Sequence, residues 1–428
     1  MPLQPLHCND GKKRLRPSAI ASPCGSVTLP ESRKRAAGMA EMAEQATHYG
    51  RLKDYLSADP DNLRLMAETA DAAYQAGRSE EAVSLIERHA TIAPLPPSLV
   101  NLMGLCALLQ GRWADAERIF SSLLADAPDD PDLLFNLACA CARSGDHARA
   151  LEALSSAPDR PQVLTMRARS LHELGRMEDA LALGDAWEGR SEDPDLWSSL
   201  TTTALDMGDL DRATNWAARG ADTYEGQAAL GMLAMADGRL DQAWAFFDRS
   251  LELRPDFARA RLGRGAVLLS RDEPAEAAVE FDRAAEIFED HLGSWVAAGW
   301  AWLIADDTAN ARERFEIAVK LDAAFGEAHG GLALLDLREG RAEDARKKAD
   351  LALRLDPSGL GGALVRALLL EKAGRVDAAH EVVDHALNSP IGHAGRSVIQ
   401  QMALNLAGGR RPNQQGFPGS RAEPGSAE

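Results

Sequence analysis

Cysteine, histidine, aromatic residues and cations are all thinly supplied in this 428-residue chain, and each shortage closes a class of function. The five cysteines (Cys8, Cys24, Cys106, Cys139, Cys141) form no CxxC pair, and Cys139 and Cys141 fall on different faces of a helix, so neither metal nor redox work is encoded. An odd count suits a reducing compartment. The histidines are scattered. His380 and His385 lack the i, i+4 spacing of a helical zinc pair and have no neighbouring acid to complete a site. The longest apolar run, residues 295–305, is far short of the ~20 residues a membrane span needs. No apolar core of a secretory leader is present either, and the expected location is cytoplasmic.

Cations are outnumbered, 47 Lys and Arg against 65 Asp and Glu, for a net charge of −18. The imbalance is uneven along the chain. Residues 1–38 carry Lys12, Lys13, Arg14, Arg16, Arg33, Lys34 and Arg35 against Asp10 and Glu31, a balance of +5, so the remainder holds −23. An acidic body argues against a nucleic-acid groove, which needs clustered Lys and Arg to neutralise phosphate. The proline-rich segment 1–38 has no apolar periodicity and is expected to be disordered. It reads as a leader or an over-extended reading frame, with an organelle-targeting segment or a nuclear or anion-binding patch as alternatives.

What the chain does have is a repeated pair of amphipathic helices. In residues 224–257, YEGQAALGMLAMADGRLDQAWAFFDRSLELRPDF, Leu230, Gly231 and Ala234 share one face of a first helix. Ala243, Phe247, Ser250 and Leu251 share one face of a second. Gly238 supplies a C-cap between them and Pro255 stops the second helix. The same arrangement recurs. Gly104, Gly111, Ala116, Phe120 and Pro128 occupy the equivalent places in residues 97–130; Ala70, Gly77, Ala82, Ile86 and Pro94 do so in 63–96; and Ala333, Gly340, Ala345, Ala352 and Pro357 do so in 326–359.

With a period of about 34 residues and this spacing of small, glycine, aromatic and proline positions, the chain resembles the tetratricopeptide repeat family. The resemblance implies an all-α superhelical solenoid. Residues 1–38 would be a disordered basic segment, 39–62 a capping helix or partial repeat, 63–393 about ten repeats, 394–407 a C-terminal capping helix and 408–428 a disordered tail. Repeats beginning at Pro131, Pro161 and Pro194 are irregular: Pro158 and Pro161 shorten a second helix, and Gly184 stands where an aromatic is expected. A hinge is expected there. At the next two turns, Asp272 and Asp306 replace the turn glycine, a place Asp tolerates.

Repeats and caps consume most of the chain, leaving no block of a separate catalytic domain's size, and no catalytic constellation or cofactor motif stands out. The family resemblance implies a non-catalytic scaffold or adaptor that binds a protein partner, a peptide or amphipathic helix, on its concave face. The Ala, Arg, Gly and Asp bias suggests a GC-rich bacterial genome, where scaffolds of this family serve assembly or secretion complexes. A substrate-recognition subunit of an enzyme encoded elsewhere, or the N-terminal part of a split transferase, is the alternative. Concave positions of the first helices include Leu105, Leu108, Phe135, Met232, Met235, Leu262, Leu269, Trp300, Leu303 and Leu337, with Arg169, His172, Glu173 and Arg259 among them. The expected groove is largely apolar, and Trp300 is its anticipated anchor, since Trp295 and Trp302 take the core-facing places of that repeat. Asn101 and Asn136 stand where family members grip a peptide carboxylate, without the accompanying lysines.

Overall fold

A computed structural model of the chain describes residues 31–388, with side chains from 43 to 386. The segments expected as a C-terminal capping helix and tail, and residues 1–30, lie outside the described residues. Within them the chain is all-α. A first helix, α1 (Glu31–Ala58), is followed by ten antiparallel pairs: α2 (Leu63–Gln75) with α3 (Ser79–Ile92), α4 (Pro97–Leu109) with α5 (Trp113–Asp126), α6 (Pro131–Arg143) with α7 (His147–Leu154), α8 (Pro161–Glu173) with α9 (Met177–Trp187), and α10 (Pro194–Asp206) with α11 (Leu210–Ala217). Then come α12 (Tyr224–Ala236) with α13 (Leu240–Leu253), α14 (Ala258–Ser270) with α15 (Pro274–Phe288), α16 (Leu292–Ile304) with α17 (Thr308–Leu321), α18 (Gly326–Arg338) with α19 (Ala342–Leu355), and α20 (Leu360–Lys372) with α21 (Val376–Asn388). Helix α1 starts at Glu31, inside the stretch expected to be unstructured. Arg33, Lys34, Arg35, Ala36 and Ala37 are strong helix formers, and Pro30 precedes the first turn.

Local chemistry sets each boundary. Pro97, Pro131, Pro161 and Pro194 open first helices, where a missing N–H costs nothing. Asp130 and Asp193 cap two of them by accepting hydrogen bonds from backbone N–H groups of the first turn. Within the pairs, Gly238 takes φ +72° and lets the Arg239 N–H reach the Ala234 carbonyl at 2.8 Å. Asp272 and Asp306 adopt the same left-handed turn at φ 66° and 63°.

In four pairs the glycine of the first helix and the phenylalanine of the second are two halves of one contact. A Cβ added to Gly104, Gly231, Gly265 or Gly299 would meet the ring of Phe120, Phe247, Phe281 or Phe315 at 2.6–2.7 Å. Phe247 also presses on Gly263 of the following pair and Phe315 on Gly331, so these two rings are wedged between two repeats. Such contacts carry stability from neighbour to neighbour in a solenoid.

In the irregular middle, α7 and α11 have 8 residues each against 14 in α3, α5 and α13. Where Gly184 lacks an aromatic, Trp216 of α11 fills the space: its ring would lie 2.7 Å from an added Cβ. Trp197 packs on Trp216 at 5.7 Å between centroids, and both are buried. Long-range ion pairs also bridge the stretch marked as a hinge by its short helices, as described next.

Candidate functional site

First helices of most successive pairs contact one another, and residues of α2, α4, α6, α8, α10, α12 and α14 wall an open groove of about 2750 Å³. Its apolar part is built on α4 and α6. Leu105 and Leu108 lie one turn apart on α4, next to Leu109, which is 55% exposed, and Phe135 faces them from α6. Trp113, at the start of α5 just past the Gly111 turn, adds a half-buried indole, with the Arg143 guanidinium 6.0 Å from its ring centroid.

Further along, the wall turns polar. His172 on α8 bonds Asp206 at 3.0 Å, and Arg259 on α14 reaches the same carboxylate at 3.0 Å. Arg169 reaches across to Glu225 of α12 at 2.7 Å while its Nε donates to Ser199 Oγ at 3.0 Å. The Arg259–Asp206 and Arg169–Glu225 pairs join first helices two repeats apart, while His172–Asp206 and Arg169–Ser199 join neighbours. The His172 imidazole is held in its charged form, its pKa pushed up to about 9, first by the hydrogen bond to Asp206 and then by Glu173. The groove is therefore only partly apolar, which departs from the expectation. Eleven carboxylates and six arginines line it.

The expected site residues divide into three groups. Leu105, Leu108 and Phe135 line the groove together. Met232, Met235, Leu262 and Leu337 are half-buried and pack against core clusters rather than forming the groove wall. Leu269, Trp300 and Leu303 are corrections: they are 6%, 1% and 0% exposed and belong to the main core cluster. The reason is the winding. Gly330, Gly361 and Gly362 let α18 and α20 approach backbone to backbone, so the Trp300 ring is pressed against Gly361 and stacks edge-on to Phe315 at 5.4 Å. Trp295 and Trp302 are the half-exposed members of that helix, their indole N–H groups donating to the Glu289 carbonyl and to Asp282 at 2.9 Å. Conversely, Trp113, Asp71, Asp195, Tyr224 and Glu225 line the groove and were not anticipated. The Asp-Pro pairs at 130–131 and 193–194 were a usable signal, since they put capping carboxylates at the groove rim.

One buried acid stands apart. Glu327 on α18 is 7% exposed and accepts from the Gly361 N–H at the start of α20 at 3.1 Å; burial pushes its pKa up to about 7. Among the described residues no cluster of three or more His, Cys, Asp or Glu is arranged to hold a metal ion. No described helix is long and apolar enough to cross a membrane.

Sequence models described as tetratricopeptide repeat match residues 44–96, 152–195, 228–291 and 296–359, and a second such model matches 107–169. No curated protein matches the chain in sequence. Among solved structures, a chain of the APC/C hetero-tetramer Cut9–Hcn1 is similar at 15% identity and a TM-score of 0.51, covering 74% of this chain. This chain spans 63% of that one's length. Human IFIT1, in a dimer with m7Gppp-AAAA, aligns at 12% identity and TM-score 0.48 over 80% of this chain and 94% of its own. Yeast Tom70 aligns at 14% and 0.37 over 81% and 87%. At such identities the Cut9–Hcn1 likeness is one of fold.

Proposed function

The chain belongs to the tetratricopeptide repeat family, and on that premise we propose that it is a non-catalytic interaction scaffold that holds a segment of another protein in the groove lined by first helices α2 to α14. The observation that carries this reading is the strip of half-buried Leu105, Leu108 and Phe135, which also pack on core clusters, running beside exposed Leu109 and the Trp113 indole in the groove wall. Contiguous open apolar surface rimmed by polar groups is the usual mark of a docking site. The groove's volume also exceeds the ~300–1,000 Å³ of small-molecule sites and suits a helix or extended peptide.

The test is affinity capture from the native host with the full chain, compared with Leu108→Asp and with Leu321→Asp. Leu321 is 46% exposed and lies outside the groove. The groove reading requires one protein held by the parent and by Leu321→Asp and lost by Leu108→Asp, with all three equally helical. Retention by Leu108→Asp moves the site elsewhere. If the captured protein is an enzyme, the chain is a recognition subunit rather than an assembly adaptor.

A further inference from the structure

The charge on the groove wall narrows the class of occupant. Arg160, Arg169, Arg254 and Arg259 line the groove but are already matched to Asp132, Glu225, Asp256 and Asp206 at 2.6–3.1 Å. Arg143 lies over the Trp113 ring, and Arg190, two residues before Glu192, is the sixth arginine, so six arginines face eleven carboxylates. The carboxylates are in surplus. Asp71 and Asp126 towards one end, and Glu192 and Asp195 towards the other, line the same groove, and none makes an ion pair with any described residue. Asp195 is half-buried close to Asp193 and Glu225, while Asp71 is open to water but walled by protein; enclosure raises both carboxyl pKa values. Burial outweighs the partial relief that Arg169 gives Asp195 and that Gln75 and His48 give Asp71, so both carboxylates are less stable than fully paired ones, while Asp126 and Glu192 are exposed. A cation arriving from outside would relieve them.

We propose that the groove takes a cationic amphipathic segment, its apolar ridge seated on Leu105, Leu108 and Phe135 and its lysines or arginines reaching Asp71, Asp126, Glu192 and Asp195. The assignment rests on the groove-binding reading above and adds the chemistry of the partner. Charge complementarity supports it at two ranges. Close contacts set specificity, and the −23 balance of residues 39–428 draws cationic segments in and repels polyanions. Nucleic acid and anionic lipid surfaces are disfavoured for the same reason.

The experiment uses the full chain and three fluorescent amphipathic helices of about five turns. They share one apolar face and carry Lys, Gln or Glu on the other, and binding is read by anisotropy. At about 50 mM salt the Lys peptide is expected to bind at least tenfold tighter than the Glu peptide, and the ratio to shrink by about 500 mM. Asp126→Asn with Asp195→Asn should weaken the Lys peptide about threefold to tenfold and leave the Gln peptide unchanged. Phe135→Ala should weaken all three. Circular dichroism shows that the variants fold, and Asp126→Asn alone, at an exposed residue, provides the same comparison if the double variant does not.

Equal affinity for the Lys and Glu peptides, still lost in Phe135→Ala, would overturn the cationic assignment and leave the groove reading standing. Binding that ignores Phe135→Ala and Leu108→Asp would overturn both. Displacement of the Lys peptide by single-stranded DNA that itself binds the groove would replace the proposed partner with a polyanion. Binding that appears only after residues 1–30 are deleted would assign the groove to the chain's own Lys12, Lys13, Arg14 and Arg16 instead of a partner.

Discussion

Glu327→Gln should stabilise the protein, and only above mildly acidic pH. The Glu327 carboxyl lies between α18 and α20 against the Trp300 indole, with the Asp356 carboxylate nearby and the Gly361 N–H as its donor. Burial is the dominant influence and raises its pKa from 4.5 to about 7, partly opposed by that donor. Below pH 4.5 the group is protonated in both folded and unfolded chains and contributes no difference. As pH rises from 4.5 to 7 the unfolded chain gains by ionising while the folded chain does not, so stability falls across that window and levels off above it. The displacement is worth about 3 kcal/mol by pH 8 and about 1 kcal/mol at pH 5, at roughly 1.4 kcal/mol per pH unit.

Gln cannot ionise and keeps an oxygen for the Gly361 N–H, so the variant should gain about 1 kcal/mol at pH 5 and about 3 kcal/mol at pH 8. Urea unfolding at a series of pH values, followed by circular dichroism and tryptophan fluorescence, reads the difference between the two proteins. Other titrations, His172 included, cancel in that difference. A gap that stays constant from pH 5 to 8, or a variant less stable at pH 8, would refute the assignment of a strained buried carboxyl.

Other predictions follow from the same geometry. Trp300→Ala should cost about 3–5 kcal/mol and loosen α16 to α20, whereas Leu109→Ala in the groove should stay within about 0.5 kcal/mol; thermal melts separate the two. Asp306→Gly should raise the melting temperature, because a non-glycine residue at φ 63° is worth up to about 1 kcal/mol of relief. The His172 imidazole should titrate near pH 9 by NMR, and return toward 6.5 in Asp206→Asn. Its pKa is raised on folding, so its contribution is complete below pH 6.5 and lost as pH rises through about 9.

The fold was legible because its determinants are local. Gly231 and Phe247 predict their own contact, Gly238 predicts its turn, and Pro97 or Pro131 marks where a first helix begins. The same rules explain the Asp272 and Asp306 turns, where a side chain stands in for glycine at some cost. Parts of the site were less legible. Which face of a first helix points into the superhelix follows from helical periodicity, and that placed Leu105, Leu108 and Phe135 in the groove. How tightly the superhelix winds does not. Gly330, Gly361 and Gly362 are spread over two repeats, and only their mutual approach in space closes the wall over Trp300. Long-range electrostatics were similarly hidden: Arg259 and Asp206 are 53 residues apart, and Arg169 and Glu225 are 56. Their pairing turns a face expected to be apolar into one that alternates between leucine and charge.

The most direct test of the central claim is site-specific photocrosslinking in the native host. A benzophenone side chain replaces Leu109 on the groove wall in one chain and Leu321, exposed outside it, in another. The account predicts a discrete crosslinked protein from position 109 and none from 321, with the crosslinked segment carrying lysine or arginine beside apolar residues. A partner captured from 321 and not from 109 would contradict it and place recognition on another face of the solenoid.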